Sequence, residues 1–400
     1  MKSWSPEELK KLKELRETYR HDLFEDYLPF WEKFGIDHEK GGFMCALEHD
    51  GTRINDHKYL WYQGRGLWVY SFLAQHFPEH REKSLEIVHK TASFLRKYGR
   101  DKNNDWYLSV DRNGIPIEQI DELGYAGIFV SEGFQAYAHA TGDESALDFA
   151  NECLYRSLHH FHNPNRKVED EAIGYIPHNY TGMRILGSEM VLINTIPQML
   201  VQREDARLRS LLLEAIDNVL HKFWNPEHQL TNEVLDKDLN RPHDKNENFF
   251  YLGHATETYW MIMEAALFLK DQTMFETATD RFKNHLERAW DDEAGGFSDG
   301  LKLNEGLNPI RHLWQHEEVL IGCLMLLEHT NLKWPLDWFI RTQDYITEKF
   351  HLAKHGYPVW AYGSYRDGDF RKRELGRKEN YHLPRRLMLN LLAFDRILNN

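Results

Sequence analysis

WYQGRGLW, at residues 61–68, sets one arginine among rings that a core would otherwise claim. Wound as a helix, it spaces Trp61, Arg65, Trp68 and Phe72 four, three and four residues apart, so the guanidinium shares a face with large aromatic rings. A charge on such a face needs a partner or a ligand. The structural reading is a cation–π contact with the aliphatic stem buried. The functional reading is a cation lining a cavity, and the choice rests on whether other helices of the chain do the same.

Working outward from this stretch, helical periodicity runs from end to end. It predicts helices over about 6–19, 21–33, 58–77, 81–98, 123–141, 143–159, 188–202, 205–223, 247–270, 272–289, 311–329, 333–350 and 380–397, most of them separated by Gly, Pro, Asn and Asp clusters. Between helices recur short aromatic, glycine-bearing segments: IDHEKGGFMCALEHDG at 36–51, NNDWYLSVDRNG at 103–114 and WDDEAGGFSDG at 290–300. The first and last share Asp-x-Glu-x-Gly-Gly-Phe, a weak repeat without a solenoid period. With no Pro- or Ser-rich linker, residues 1–400 read as a single domain. About six helix pairs, each followed by a strand-like loop, can close into a ring whose inner helices face a cavity and whose outer helices shield them. The expected fold is therefore an all-α (α/α)6 barrel with short β-hairpin-like loops; an open helical superhelix is the alternative.

A helix lining a cavity carries an isolated polar group on an apolar stripe, and the pattern at Arg65 recurs. Glu318 sits on the stripe Trp314, Glu318, Ile321, Met325, and Glu189 on the stripe Glu189, Ile193, Ile196, Leu200. In LGHATETYW, His254 and Glu257 lie at i and i+3; in YHLPRRL, His382 precedes Arg385 by three. Singly, each has a bland explanation as a partner-bonded core group, and His178 and the His159–His160 pair read as structural. Five helices each placing one polar group on an apolar side point to a shared cavity.

The hydrophobic content of 42% and aromatic content of 13% suffice for a large core. A net charge of -14, from 63 acidic and 49 basic residues, argues against nucleic acid and for small solutes. Cys45, Cys153 and Cys323 are odd in number and far apart, which fits a reducing compartment and neither a disulfide framework nor a zinc site. A charged, helix-like start and no apolar run of about 20 residues predict a cytoplasmic protein with no membrane partner. P-loop, Rossmann, Gly-x-Ser-x-Gly and His-Glu-x-x-His signatures are all missing.

The segments KYLWYQGRGLWVYSFL, GSEMVLINTIPQML, GHATETYW, LWQHEEVL and YHLPRRL, in this order, resemble the N-acylglucosamine 2-epimerase family, which also contains cellobiose 2-epimerases and mannose isomerases. The resemblance implies an (α/α)6 barrel that interconverts sugars at C2 without a redox cofactor or metal. It also implies His254 and His382 as the acid/base pair, with Arg65 as the cavity cation. Glu257, Glu318 and Arg385 match further site positions. Glu189 stands where the disaccharide epimerases and mannose isomerases tend to have histidine, so the resemblance points to N-acetylglucosamine and N-acetylmannosamine. Mannose–fructose isomerisation or cellobiose epimerisation on the same site are the alternatives. A homodimer is common in the family, and a nucleotide effector such as ATP is known in some members, though nothing in the sequence places its site.

The chemistry suits these residues. Removing the C2 proton from an open-chain sugar leaves an enediolate, and its return on the other face needs a second acid. Imidazoles, with ordinary pKa near 6.5, serve both tasks, while a fixed guanidinium stabilises the oxyanion. Trp61 and Trp68 are expected to shield the site and cover the sugar, with Glu257 and Glu318 holding histidines or hydroxyls. A glycoside hydrolase using Glu257 and Glu318, or a non-enzymatic interaction protein, are the competing classes.

Overall fold

The computed structural model describes residues 4–168, 173–369, 371 and 376–399. Six helices form an inner ring: α2 (Leu60–His76), α4 (Tyr125–Thr141), α6 (Leu186–Gln202), α8 (Leu252–Leu269), α10 (Leu313–His329) and α12 (His382–Asn399). The outer layer is α1 (Pro6–His21), α3 (Arg81–Tyr98), α5 (Glu144–Phe161), α7 (Ala206–Asp217), α9 (Gln272–Ala289) and α11 (Trp334–Lys349). Each inner helix packs on the next, α12 returns to α2, and α1 covers α12, so the ring is closed and the (α/α)6 expectation holds.

Burial separates the layers. Along α4, α6 and α10 nearly every residue is buried, whereas α3, α5 and α9 bury one stripe and expose the rest. A helix apolar all round has to be enclosed, and an amphipathic one belongs outside. The expected helices at 21–33 and 205–223 exist with a change of pitch. After α1 the chain runs through π-type turns at Asp22–Tyr27 and Trp31–Gly35, and after α7 through another at Asn218–Phe223.

The Gly-Arg-Gly of the opening stretch has a packing cause. A Cβ on Gly64 would stand 2.4 Å from the backbone of Phe129 on α4, and one on Gly133 would stand 2.4 Å from the carbonyl oxygen of Gly64. At Gly66 a Cβ would strike the Phe43 ring at 2.4 Å. The two helices therefore touch backbone to backbone beside Arg65 and bring Phe129 under its guanidinium.

Short antiparallel strands tie the loops that precede neighbouring inner helices. Lys58–Tyr59 pairs with Ser109–Val110, Arg184–Ile185 with Val234–Leu235, and Ile310–His312 with Gly363–Tyr365. These loops all lie at the N-terminal ends of the inner helices. The repeat found in sequence is a turn in which Asp37 accepts the amide of Lys40 and a two-point contact from Arg112; Asp291 does the same with Ala294 and Arg366. Glycines 41, 42, 295 and 296 take φ between 74° and 87°, so both turns require glycine there.

Cys45, Cys153 and Cys323 are free and buried, and burial pushes each thiol above its ordinary pKa. Among the described residues no helix is long and apolar enough to cross a membrane.

Candidate active site

A cavity of about 500 Å³ opens at the N-terminal ends of the inner helices, within the size range of small-molecule sites. Trp61 and Arg65 of α2, His254 and Glu257 of α8, Trp314 of α10 and His382 of α12 all line it. All six come from the first two turns of a helix. Helices α2, α6, α8 and α10 begin without a side-chain cap, whereas outer helices α1, α5, α7 and α9 are capped by Ser5, Asp143, Asp205 and Asp271. The partly positive ends of the inner ring converge on the cavity, which favours negative charge developing there.

His254 Nδ1–H donates to Glu233 Oε1 at 2.9 Å, and the Tyr175 hydroxyl donates to the same oxygen at 3.0 Å. This leaves Nε2 for the cavity. Burial disfavours protonation of this imidazole, but the Glu233 carboxylate more than offsets it, and the pKa ends above its ordinary value. His382 Nδ1–H donates to Glu318 Oε1 at 2.9 Å. Here burial dominates, opposed by Glu379 and Glu257 and reinforced by Arg65 and Arg385, and the imidazole is brought down to about 3. The two imidazoles are thus shifted in opposite directions by their surroundings. Both pack on the Trp314 indole, with ring centroids 5.8 Å and 5.6 Å away.

Arg65 lies 4.0 Å above the Phe129 ring centroid and 4.9 Å from that of Tyr381, with an Nη1 3.9 Å from Glu379 Oε1. Both readings of the opening stretch thus apply: the guanidinium is stacked on rings and lines the cavity. Its Nε is buried without a hydrogen-bond partner.

Glu318 and Arg385 form the layer beneath the cavity. Arg385 Nη2 donates to Glu257 Oε1 at 2.8 Å and Glu318 Oε1 at 2.7 Å, and Trp260 Nε1 donates to Glu318 Oε2 at 2.7 Å. Glu257, Glu318 and His382 are near enough to share a metal ion, but the guanidinium stands among them, 3.3 Å from His382 Nδ1. Below this, the Tyr381 hydroxyl donates to buried Glu132, which also accepts from Asn194.

Four expected substrate residues fall outside the lining: Glu318 and Arg385 in the layer beneath it, and Trp68 and Glu189 farther away. Trp68 lies about two turns deeper than Trp61, stacked on Phe72 and donating from Nε1 to Gln198 at 3.0 Å, outside the lining. Glu189 points away from the cavity to accept from Arg184 at 2.7 Å, while its chain neighbours Met190 and Val191 line the wall. The stripe containing Glu189 is apolar because α6 is buried on every side, so the stripe does not tell inward from outward. Sequence reasoning missed Glu233, Tyr175 and Glu379, which belong to loops, since the search followed helical stripes.

A closed ring of paired helices, with two imidazoles and a guanidinium lining the cavity at the N-terminal ends of its inner helices, forms a helical barrel with a small-molecule site at one end. The profile of the family N-acylglucosamine 2-epimerase (GlcNAc 2-epimerase) matches residues 41–385, and the chain belongs to that family of carbohydrate 2-epimerases, which are isomerases. It is 24% identical over 348 residues to the N-acylglucosamine 2-epimerase of Mus musculus, covering 82% of this chain and 80% of that one. To the cellobiose 2-epimerase of Eubacterium cellulosolvens it is 24% identical, covering 78% and 82%. The fold superposes on the cellobiose 2-epimerase of Bacillus thermoamylovorans with a TM-score of 0.81 at 18% identity, over 95% of this chain and 99% of the other.

Proposed function

We propose that the protein interconverts N-acetylglucosamine and N-acetylmannosamine, acting as a single domain without redox cofactor or metal. The observation that carries the reaction type is the pair His254 and His382 on the two helices beside Trp314, with Arg65 in the same cavity. In the open-chain sugar, His382 Nε2 takes the C2 proton, the electron pair shifts toward the C1 oxygen, and Arg65 holds that oxygen as an enediolate. His254 Nε2–H then delivers its proton to the opposite face of C2. The reverse reaction exchanges the two roles.

The N-acyl substrate is supported by the named relatives and by the apolar wall of Phe129, Ile173, Met190 and Val191, which suits an acyl methyl group. A hydrolase reading finds no support in Glu257 and Glu318, which grip one guanidinium in a layer where Glu318 is outside the lining. The reading extends to a homodimer, as the family resemblance implies, and to a cytoplasmic setting, which the three cysteines without disulfide spacing support.

Incubation with N-acetylmannosamine, mannose or cellobiose in deuterated buffer tests it by NMR. The expected result is deuterium at C2 of both N-acetylhexosamines. Label at C1 of fructose from mannose, or epimerised cellobiose with the N-acyl sugars untouched, would replace the substrate and keep the site.

A further inference from the structure

Glu379 is a loop residue that none of the chemistry above uses, yet it touches both halves of the site. Its Oε2 accepts the backbone amides of Tyr381 at 3.0 Å and His382 at 2.8 Å, so it caps the helix that carries the second imidazole. Its Oε1 is buried, has no hydrogen-bond partner, and faces Arg65 Nη1 at 3.9 Å. That distance is an ion pair and not a hydrogen bond, so the guanidinium is oriented while its donors stay free for an oxyanion.

We propose that Glu379 is a positioning residue, a single carboxylate that locks Arg65 to the amide of His382 and thereby sets where the oxyanion cation stands relative to the base. The inference rests on reading the cavity as an epimerase site. The geometry explains why a carboxylate is placed beside the cation that must meet a negative oxygen. The Phe129 and Tyr381 rings pack on the guanidinium without fixing its direction in the ring plane, and the Glu379 charge 3.9 Å from Nη1 adds that restraint. Misplacement by about 1 Å costs on the order of 100-fold in rate.

Glu379→Gln separates this role from capping, because the amide oxygen still accepts both backbone N–H groups while the charge is gone. The expected result is an unchanged melting midpoint and a kcat lower by roughly 10- to 100-fold, with a smaller change in KM. A second readout is independent of any sugar: NMR titration of the histidines. The groups around His382 are Glu318, Glu257, Arg385, Arg65 and Glu379. Losing the Glu379 charge, which opposes burial, lowers the His382 titration further.

Wild-type kcat together with an unmoved His382 titration in Glu379→Gln would overturn the proposal, as would parallel loss of stability and activity confined to Glu379→Ala. Should Glu379→Gln not fold, Glu379→Asp gives the decision. It keeps the charge but is one methylene too short to reach both partners, and wild-type kcat in that variant refutes the role. Absence of C2 exchange in the wild-type protein would count against the epimerase reading, and the histidine titration would still show whether Glu379 acts on this pair.

Discussion

His254 and His382 pack against the same indole, that of Trp314, from the two helices that flank α10, and their surroundings shift their pKa values in opposite directions. Glu233 holds the first above its ordinary pKa, and burial drives the second down to about 3. In the proposed mechanism the pair shares one proton, and these opposite shifts favour its residence on His254. In the proposed turnover one histidine gains the C2 proton as the other gives one up, so both directions of the reaction draw on the singly protonated pair.

A shared proton count dictates the pH profile. Going down in pH, a second proton has to enter His382, and this pair imposes no acid limb until about pH 3. Going up, activity is lost as His254 releases its proton, above its ordinary value. Initial rates for each epimer should give superimposable profiles with one alkaline limb. A profile falling from pH 7 to pH 5 in a folded protein would contradict the assignment.

Single replacement of either histidine should uncouple exchange from inversion. His254→Asn and His382→Asn are each expected to lower epimerisation by about 100- to 10,000-fold. Each should still wash the C2 hydrogen out of one epimer, the one whose proton faces the surviving imidazole. NMR in deuterated buffer, run separately on the two sugars, reads this directly; equal washout from both would point to a single base.

Glu233→Gln keeps a hydrogen-bond acceptor for His254 Nδ1–H and removes the charge that raises it. Burial then acts unopposed by its main counterweight, so the alkaline limb should move to lower pH and the rate at neutral pH should fall. An unmoved limb would mean that another group controls it.

Glu189 is expected to matter for stability and not for substrate choice. Its carboxylate accepts from Arg184 and is itself buried, so Glu189→Ala should cost on the order of 3 kcal/mol in denaturant melts. The preference among N-acetylmannosamine, mannose and cellobiose should stay as it is. A changed preference in a fully stable variant would bring Glu189 back to the substrate.

Gly64→Ala tests the contact that seats Arg65. The added methyl meets the Phe129 backbone, which has no flexible end to give way, and overpacking of this kind costs roughly 1–3 kcal/mol. A lower melting midpoint together with reduced kcat is expected, whereas Gly306→Ala, with open space around it but a left-handed φ, should affect stability alone.

The repeating helix pairs, the loops between them and the residues His254, His382 and Arg65 could be read from amino-acid order, because helical periodicity and motif spacing are local. Ring closure decided the rest. On a helix buried all round, such as α6, periodicity carries no sense of direction, and only the packing turned Glu189 outward to Arg184 while Met190 and Val191 took the wall. Depth along the axis likewise separated Trp61 from Trp68. Glu233 and Glu379 reach the histidines from loops distant in sequence or outside any stripe. Contacts of that kind, and the opposed pKa shifts they impose, exist only once the chain has closed on itself.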